Sequence, residues 1–274
     1  MRKIAIYNRK GGVGKTVSCV NIAGCLDKVK GKKVLVIDTD AQANATSYLL
    51  QNDMDSIQYS LCDLFRESTI DPHNVIYRAR VFDKKEENLI DTNIYVVPAT
   101  TELDEISAES MFAIKDFLDM VEDEFDYCLI DCSPSITEMT INALCAADYL
   151  VIPSLAGRDS VTGYGMVIAE IDGMKSNGYN VNLKILGVFL NAVDKRRALD
   201  DYYRSFWTNM DKREHKVVAF VNTIRNASDV VNAQEYAKPI HYFRSCNVAK
   251  DYEGLVQELE AKIGSHEALL RKKG

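Results

Sequence analysis

The sequence predicts an α/β fold, a mostly parallel sheet with helices on both faces, formed by a single domain of residues 1–274. Two observations support this prediction. Short strand-like runs alternate with helical segments along the chain, and these runs are apolar at successive positions, as in strands that are buried on both faces. The expected strands cover residues 4–7, 34–37, 94–97, 127–130, 149–152, 185–190 and 217–221.

The length and composition of the chain fit this architecture. With 274 residues, 47% of them hydrophobic, it can bury a substantial core. The segment from residue 51 to residue 91 is polar and irregular, with Asp71-Pro72 and a charged run at residues 84–87. We interpret this segment as a surface elaboration of the one domain, because a long connection without apolar periodicity lies on the surface.

The apolar segments and the cysteines favour a cytoplasmic protein. The chain has no run of eighteen apolar residues, so no membrane span is expected. Membrane binding is not expected either, because most helices with the apolar spacing of residues 255–263 pack on their own domain and the tail that follows is short and weakly apolar. A strand begins at the N-terminus and leaves no room for a signal peptide. The seven cysteines are odd in number, form no CxxC pair and lie mostly among apolar residues, which is typical of reduced, buried thiols.

The most specific signal lies near the N-terminus, where residues 9–16 read RKGGVGKT. A strand-like run precedes this glycine-rich segment, and a helical pattern with one apolar face follows it. In that setting backbone N–H groups curl round a phosphate at the helix N-terminus. Lys15 then reaches the β and γ phosphates, and the Thr16 hydroxyl ligates Mg²⁺. The sequence therefore predicts a nucleoside triphosphate site.

Acidic residues follow two of the predicted strands. Asp38 and Asp40 come directly after the second strand, and Asp131 ends the strand at residues 127–130. Strand ends in a parallel sheet meet at the edge where the phosphate loop lies. Acids at that edge can hold Mg²⁺ through water and orient an attacking water, whereas a single aspartate after a strand can also be a helix cap.

The glycine-rich segment departs from the usual phosphate loop at one position, because Arg9 stands where glycine is expected. A second lysine, Lys10, precedes the glycine pair. In this respect the segment resembles the deviant loop KGGxGK[ST] of the ParA/MinD/nitrogenase-reductase group of ATPases.

Two further segments resemble the ParA/Soj branch of that group. Residues 38–46, DTDAQANAT, are similar to its DxDPQGNAT segment, with Ala41 for proline and Ala43 for glycine. Residues 131–135, DCSPS, are similar to its DxPPS segment, with Ser133 for the first proline. Weaker matches at 97–100, 142–144, 146–148 and 224–240 extend the resemblance over nearly the whole chain.

The resemblance implies roles for the matching residues. Asp40 would polarise the hydrolytic water, and Lys10 would reach across a dimer interface to the partner's phosphates. The adenine would lie near Asn191 on one side and near Ile224, Arg225 and Asn226 on the other. Mg²⁺ would be held by Thr16 with support from Asp38 and Asp131. The ATP phosphates would contact Lys10, Gly11, Gly12, Val13, Gly14, Lys15, Thr16 and Val17.

The resemblance also implies a function. The chain would be a dimerising switch ATPase that hydrolyses ATP slowly. The ATP-bound homodimer would bind nonspecific DNA, and a centromere-binding, ParB-like partner would stimulate hydrolysis. Plasmid or chromosomal cargo would thereby move over the nucleoid.

The charge of the chain does not by itself favour DNA binding, since 40 acidic residues outnumber 33 Lys and Arg and give a net charge of −7. A local basic group could suffice. Arg196 falls where the family has a DNA-contacting arginine, although the family's second arginine position is Asp229. The predicted DNA contacts are Arg196, Arg225, Arg244 and Lys250.

Three other functions are compatible with the loop. A MinD-like membrane-positioning ATPase would end in an amphipathic helix, and residues 255–263 do have helical apolar spacing, followed by residues 269–273. An electron carrier similar to nitrogenase reductase would need cysteines that bridge a cluster between subunits, and Cys132 directly follows Asp131 in the DCSPS segment. Metabolic ligases share the loop, but the DxDxQxNAT pattern disfavours them.

Overall fold

The computed structural model describes residues 1–66, 70–83, 86–106, 110–194, 196–214 and 219–272. Within them lies a seven-stranded sheet with the order β3-β4-β2-β5-β1-β6-β7. Every neighbouring pair is parallel except β3 and β4, which are antiparallel. The strands are β1 (Arg2–Ile6), β2 (Val34–Asp38), β3 (Tyr77–Asp83), β4 (Asn88–Val97), β5 (Tyr127–Asp131), β6 (Tyr149–Leu155) and β7 (Lys184–Asn191).

The helices pack on both faces of this sheet because successive side chains of each strand point to opposite faces. Along β1, Ile4 and Ile6 belong to one core cluster, whereas Ala5 belongs to the other. The first cluster is covered mainly by α1, α2 and α10, and the second by α3 to α7. The described helices are α1 (Lys15–Lys28), α2 (Asn44–Leu50), α3 (Leu61–Arg66), α4 (Ala113–Met120), α5 (Glu138–Ala146), α6 (Arg158–Ser176), α7 (Ala198–Glu214), α8 (Ser228–Glu235), α9 (Ile240–Phe243) and α10 (Asn247–Arg271).

The predicted fold class is confirmed, and six of the seven predicted strands are present. The seventh prediction, residues 217–221, lies partly outside the described residues. Its described part forms one isolated bridge between Ala219 and Val188 and no strand, and Val221 is exposed.

The polar segment at residues 51–91 contains a strand that we did not predict. In β3 the side chains of Ala79 and Val81 are buried, while Arg78 and Arg80 are partly exposed and pair with Asp91 and Asp53. An edge strand needs apolar side chains on one face only, so its alternation was hidden within a charged segment. The charged run that we noted at residues 84–87 lies partly outside the described residues.

The C-terminal helix α10 packs on its own domain through its apolar face. Leu255, Val256, Leu259 and Ile263 are all buried in the core, whereas Leu269 and Leu270 near the end of the helix are exposed. Among the described helices, none combines the length and apolarity that a membrane span requires.

Candidate nucleotide-binding site

The glycine-rich loop joins β1 to α1 at the carboxyl edge of the sheet. Gly12 and Gly14 have φ angles of +70° and +86°, in the left-handed region that side chains rarely adopt. Gly14 precedes the first residue of α1, and a Cβ atom on it would clash with the side-chain amide of Asn191. The loop therefore needs glycine at both positions, and it brings Lys15 to the N-terminus of a buried helix.

Lys15 folds back over the loop. Its Nζ atom donates to the carbonyl oxygens of Asn8 at 3.1 Å and of Lys10 at 3.2 Å. The residue is only 8% exposed. Burial lowers the pKa of Lys15, and the negative charge of Asp131 is the largest influence opposing that shift. An ammonium group in such a position is ready to pair with an anion at the loop.

The other loop lysine points to a different part of the chain. Lys10 Nζ lies 3.0 Å from Oδ2 of Asp159, in the first turn of α6, and the Lys10 side chain is 43% exposed. Its backbone N–H donates to Oδ1 of Asn8 at 3.0 Å. Lys10 is thus an accessible cation at the mouth of the loop, whereas Lys15 is a buried one.

Asp38 and Asp131 face each other across neighbouring strands, where they are register partners of β2 and β5. Asp38 is fully buried. Its carboxylate accepts from the N–H and the hydroxyl of Thr46, both at 2.8 Å, and from the N–H of Asp40 at 3.2 Å. Burial outweighs these bonds and raises the pKa of Asp38 to about 6. Asp38 therefore holds the start of α2 against the end of β2.

Asp131 has a different environment, although it is equally buried. Among the described residues, neither carboxylate oxygen of Asp131 has a hydrogen-bond partner in good geometry. Burial raises the pKa of Asp131, and the charge of Asp38 adds to the effect, while the neighbouring Thr16 hydroxyl and Lys15 oppose it. A buried acid without a partner is costly unless a cation or donor satisfies it.

These groups fit a magnesium ion. Mg²⁺ prefers oxygen ligands, keeps several waters and takes one or two protein groups together with substrate phosphates. The Thr16 hydroxyl and the unpartnered carboxylate of Asp131 supply such oxygens. The described part of the chain contains no cluster of three or more His, Cys, Asp or Glu side chains arranged to hold a metal, and a magnesium site that uses phosphates and waters does not require one.

Asp40 lies in the turn between β2 and α2 and is half-buried. Its Oδ1 atom accepts from the N–H of Gln42 at 3.0 Å. Ala43, which directly precedes α2, has a φ angle of +50°. This is a left-handed conformation that glycine adopts more easily, which gives a physical reason for the glycine that the ParA/Soj pattern has there. The turn presents Asp40 at the same sheet edge as the loop.

Asn191 lies beside the glycine-rich loop. At the end of β7, its side-chain amide donates to the carbonyl oxygen of Val13 at 3.0 Å. The predicted partner segment, residues 224–226, runs alongside. Ile224 donates its N–H to Leu190 and accepts from the N–H of Val193, both at 2.9 Å. Both predicted base-contacting segments thus lie next to each other, and Asn191 touches the loop itself.

The comparisons with known proteins agree with this geometry. Residues 1–185 match the family model described as AAA domain. Over 202 residues, covering 72% of this chain and 74% of the relative, the chain is 36% identical to the sporulation initiation inhibitor protein Soj of Bacillus subtilis. The chain belongs to the ParA/Soj family of ATPases. It is also 31% identical to the chromosome-partitioning ATPase Soj of Thermus thermophilus, over 73% of this chain and 72% of that relative.

A solved structure supports the fold over nearly the whole length of this ParA/Soj family member. An aspartate-to-alanine variant of McdA from Cyanothece, in complex with ATP, superposes with a TM-score of 0.78. It is 22% identical in sequence, and the match covers 95% of this chain and 96% of that one.

The arginines predicted to contact DNA each pair with an aspartate of the same chain. Arg196 is bidentate to Asp194, at 2.9 and 2.8 Å, although its side chain is 90% exposed. Arg225 is bidentate to Asp251, at 2.6 and 2.7 Å, and Arg244 pairs with Asp229. Lys250 is exposed on α10 with no ion pair among the described residues. Lys195, which directly precedes Arg196, lies outside the described residues.

Two acids near the loop were not anticipated from the sequence. Asp159 and Glu170, both on α6, contact Lys10 and Arg9. No motif marks them, because they are about 150 residues away from the loop along the chain. Cys132, considered above as a possible cluster ligand, is buried, and its Sγ atom contacts the carbonyl oxygen of Ile130 at 3.6 Å.

Proposed function

We propose that this chain is an ATP-dependent dimerising switch that hydrolyses ATP to ADP and phosphate in order to partition plasmid or chromosomal DNA. The observation that carries the proposal is the loop edge, which we define as residues 8–16 with Asp38, Asp40 and Asp131. There the buried ammonium of Lys15, the exposed ammonium of Lys10 and the unpartnered buried carboxylate of Asp131 surround the N-terminus of α1. Membership of a family of ATPases supports the same reaction.

Triphosphate binding is assigned to the loop and α1. The N–H groups from Gly11 to Val17 face the phosphates, as at other helix N-termini that follow a glycine-rich turn. Lys15 exchanges its two carbonyl contacts for phosphate oxygens, which are stronger partners for an ammonium group. Asn191 and residues 224–226 border the adenine.

Magnesium is assigned to Thr16, with Asp131 and Asp38 behind it. When bound, the ion neutralises negative charge that develops on the phosphate oxygens. Asp131 would support the ion through water, which would satisfy its buried oxygens. Asp38 keeps the N-terminus of α2 in register with this site through Thr46.

Hydrolysis is assigned to Asp40 and Lys10. Asp40 polarises the attacking water from the turn before α2. Lys10 leaves Asp159 and reaches the phosphates of a second copy of the chain. Because a cation supplied in trans can accelerate phosphoryl transfer by about 10³ to 10⁵, the monomer is nearly inert and hydrolysis limits the lifetime of the dimer.

The DNA surface over which the cargo moves and the partner that stimulates hydrolysis are inferred from the family. The dimer binds nonspecific DNA through Arg196, Arg225, Arg244 and Lys250, and a ParB-like partner bound to the cargo stimulates hydrolysis. The chain is therefore expected in the cytoplasm, associated with the nucleoid. A dimer presents two copies of a weak basic group, and linked groups gain avidity without any new contact.

Light scattering coupled to size-exclusion chromatography tests this proposal. The purified chain is compared without nucleotide, with ADP and with a nonhydrolysable ATP analogue, each with Mg²⁺ and with a chelator. We expect a dimer only with the analogue and Mg²⁺. A chain that stays monomeric in all of these conditions, or that dimerises equally with ADP, contradicts the proposal.

A further inference from the structure

The start of the glycine-rich loop lies along one face of α6. Arg9 Nη1 is 2.9 Å from Oε1 of Glu170, and Lys10 Nζ is 3.0 Å from Oδ2 of Asp159. Between them, a Cβ atom on Gly163 would lie 3.6 Å from Oδ1 of Asn8. At about 100° per residue, positions 159, 163 and 170 fall on the same side of a helix. One helix face therefore supports three successive residues of the loop.

Glu170 is the junction of these contacts, because its carboxylate contacts both Arg9 and Tyr7. Its side chain is 13% exposed. Besides the ion pair with Arg9, its Oε2 atom accepts from the hydroxyl of Tyr7 at 2.9 Å. The Arg9 contact is short but not aligned as a hydrogen bond, so it acts through charge, whereas the Tyr7 contact is directional. Burial raises the pKa of Tyr7, and the bond to Glu170 adds to the effect, so the hydroxyl stays a donor.

Arg9 connects this junction to the phosphate-binding lysine. The two carbonyl groups that hold Lys15 Nζ belong to Asn8 and Lys10, the residues on either side of Arg9. Fixing the Arg9 side chain therefore fixes the backbone on which Lys15 rests. The usual phosphate loop has glycine at this position, and this chain instead has a side chain that is held from α6.

We propose that Glu170 is a positioning residue for triphosphate binding, acting through Arg9 on the backbone that orients Lys15. The inference rests on the proposed function, since the triphosphate is what Lys15 binds. Glu170 itself touches no phosphate in this proposal. Its effect passes through the ion pair, so removing either partner of that pair should weaken triphosphate binding to the same extent.

A double-mutant cycle on ATP affinity tests the inference. A fluorescent ATP analogue is titrated into wild type, Glu170→Gln, Arg9→Gln and the double variant. We expect each single variant to bind about fivefold more weakly, and the double variant to be no weaker than either single one, because contacting residues that act as a unit are not additive. The thermal midpoint of Glu170→Gln should match that of wild type, since glutamine still accepts from Tyr7.

The control is Glu102→Gln, which removes an exposed ion pair with Arg66 at 2.8 Å that includes no residue of the loop edge, and should bind as wild type does. Wild-type affinity in Glu170→Gln, or a double variant whose loss is the product of the two single losses, overturns the inference. If Glu170→Gln does not fold, wild-type affinity in Arg9→Gln overturns it instead. Failure of the wild-type chain to bind ATP at all contradicts the proposed function, which separates the two claims.

Discussion

The carboxylates at the loop edge differ from those paired with the predicted DNA-contacting arginines. Asp38 and Asp131 are buried, neither forms an ion pair with another described residue, and burial raises the pKa of both, that of Asp38 to about 6. The Asp194 side chain is 24% exposed and paired, and its hydrogen bonds from Arg196 lower its pKa to about 2. Burial therefore disfavours the ionised form of the two loop-edge acids, whereas the arginine partner favours the ionised form of Asp194.

This difference indicates what each region requires from a ligand. The loop edge gains when a cation and a phosphate arrive together, because the buried Asp131 carboxylate has no well-aligned partner among the described residues and the Lys15 ammonium has only carbonyl oxygens. The arginine group, defined as Arg196, Arg225, Arg244 and Lys250, has three arginines whose ion pairs are already formed within the chain. A DNA phosphate must compete with those aspartates, so binding there is expected to be weaker and more sensitive to salt.

Substitution of the two loop lysines should give the largest effects. Lys15→Ala should lose triphosphate binding in the monomer, because Lys15 contacts phosphates of its own subunit. Lys10→Ala should keep that binding but lose dimerisation and hydrolysis, with a fall in rate of about 10³ or more. Titration of a fluorescent ATP analogue and a phosphate-release assay measure the two properties separately. Equal loss of ATP affinity in both variants would mean that Lys10 acts within its own subunit.

Asp40→Ala should separate binding from turnover at the same edge. The half-buried Asp40 orients water, while phosphate binding belongs to the loop, so this variant should bind ATP and accumulate as a dimer. Loss of a positioned general base lowers rates by about 10² to 10⁴. Size-exclusion chromatography with ATP detects the dimer, and a steady-state assay of ATP hydrolysis measures the fall in rate. A monomeric variant, or one with normal turnover, removes Asp40 from this role.

The sequence predicted that the loop and the strand-end acids meet at one edge of the sheet, because these motifs are contiguous. Glycines with positive φ and acids at strand ends encode local geometry, so Gly12, Gly14 and Asp38 could be placed without a structure. Contacts between distant segments could not be placed. Glu170 meets Arg9, and Asp251 meets Arg225, only because the fold brings their helices and loops together.

The edge strand β3 was missed for a related reason. Its inward residues, Ala79 and Val81, are few, and arginines alternate with them in a charged segment. Antiparallel pairing with β4 supplies the hydrogen bonds that complete the strand, and this pairing depends on a neighbour that periodicity alone does not identify.

Matched changes of aspartate to asparagine should have opposite effects on stability in the two regions. Asp131→Asn removes a buried acid whose ionised form burial disfavours and whose oxygens have no well-aligned partner among the described residues, so it should raise the free energy of unfolding of the nucleotide-free chain by about 1 kcal/mol while lowering ATP hydrolysis. Asp194→Asn removes an exposed ion pair and should lower stability slightly. Urea denaturation at neutral pH compares them. Destabilisation by Asp131→Asn would mean that its carboxylate is satisfied within the chain.

Substitution in the arginine group should have the smallest effect, and this effect should be on the salt dependence of DNA binding. Each phosphate contact releases counterions, so Arg196→Ala should reduce the slope of log affinity against log salt by about one unit. Asp194→Asn should strengthen binding, because it frees the Arg196 guanidinium. Fluorescence anisotropy of a labelled duplex measures both, with ADP and with a nonhydrolysable ATP analogue. Absence of analogue-dependent binding even at low salt would exclude DNA as the ligand of this group.

The claim that the site is completed by two copies of the chain is tested most directly by mixing two inactive variants. A dimer of one Lys10→Ala subunit and one Asp40→Ala subunit keeps one of the two Lys10 contacts, both of which the Lys10→Ala homodimer lacks. It contains one intact site, with Asp40 from the first subunit and Lys10 from the second. We predict that each variant alone is inactive and that the mixture hydrolyses ATP well above the sum of the two. A mixture as inactive as its components would contradict the account.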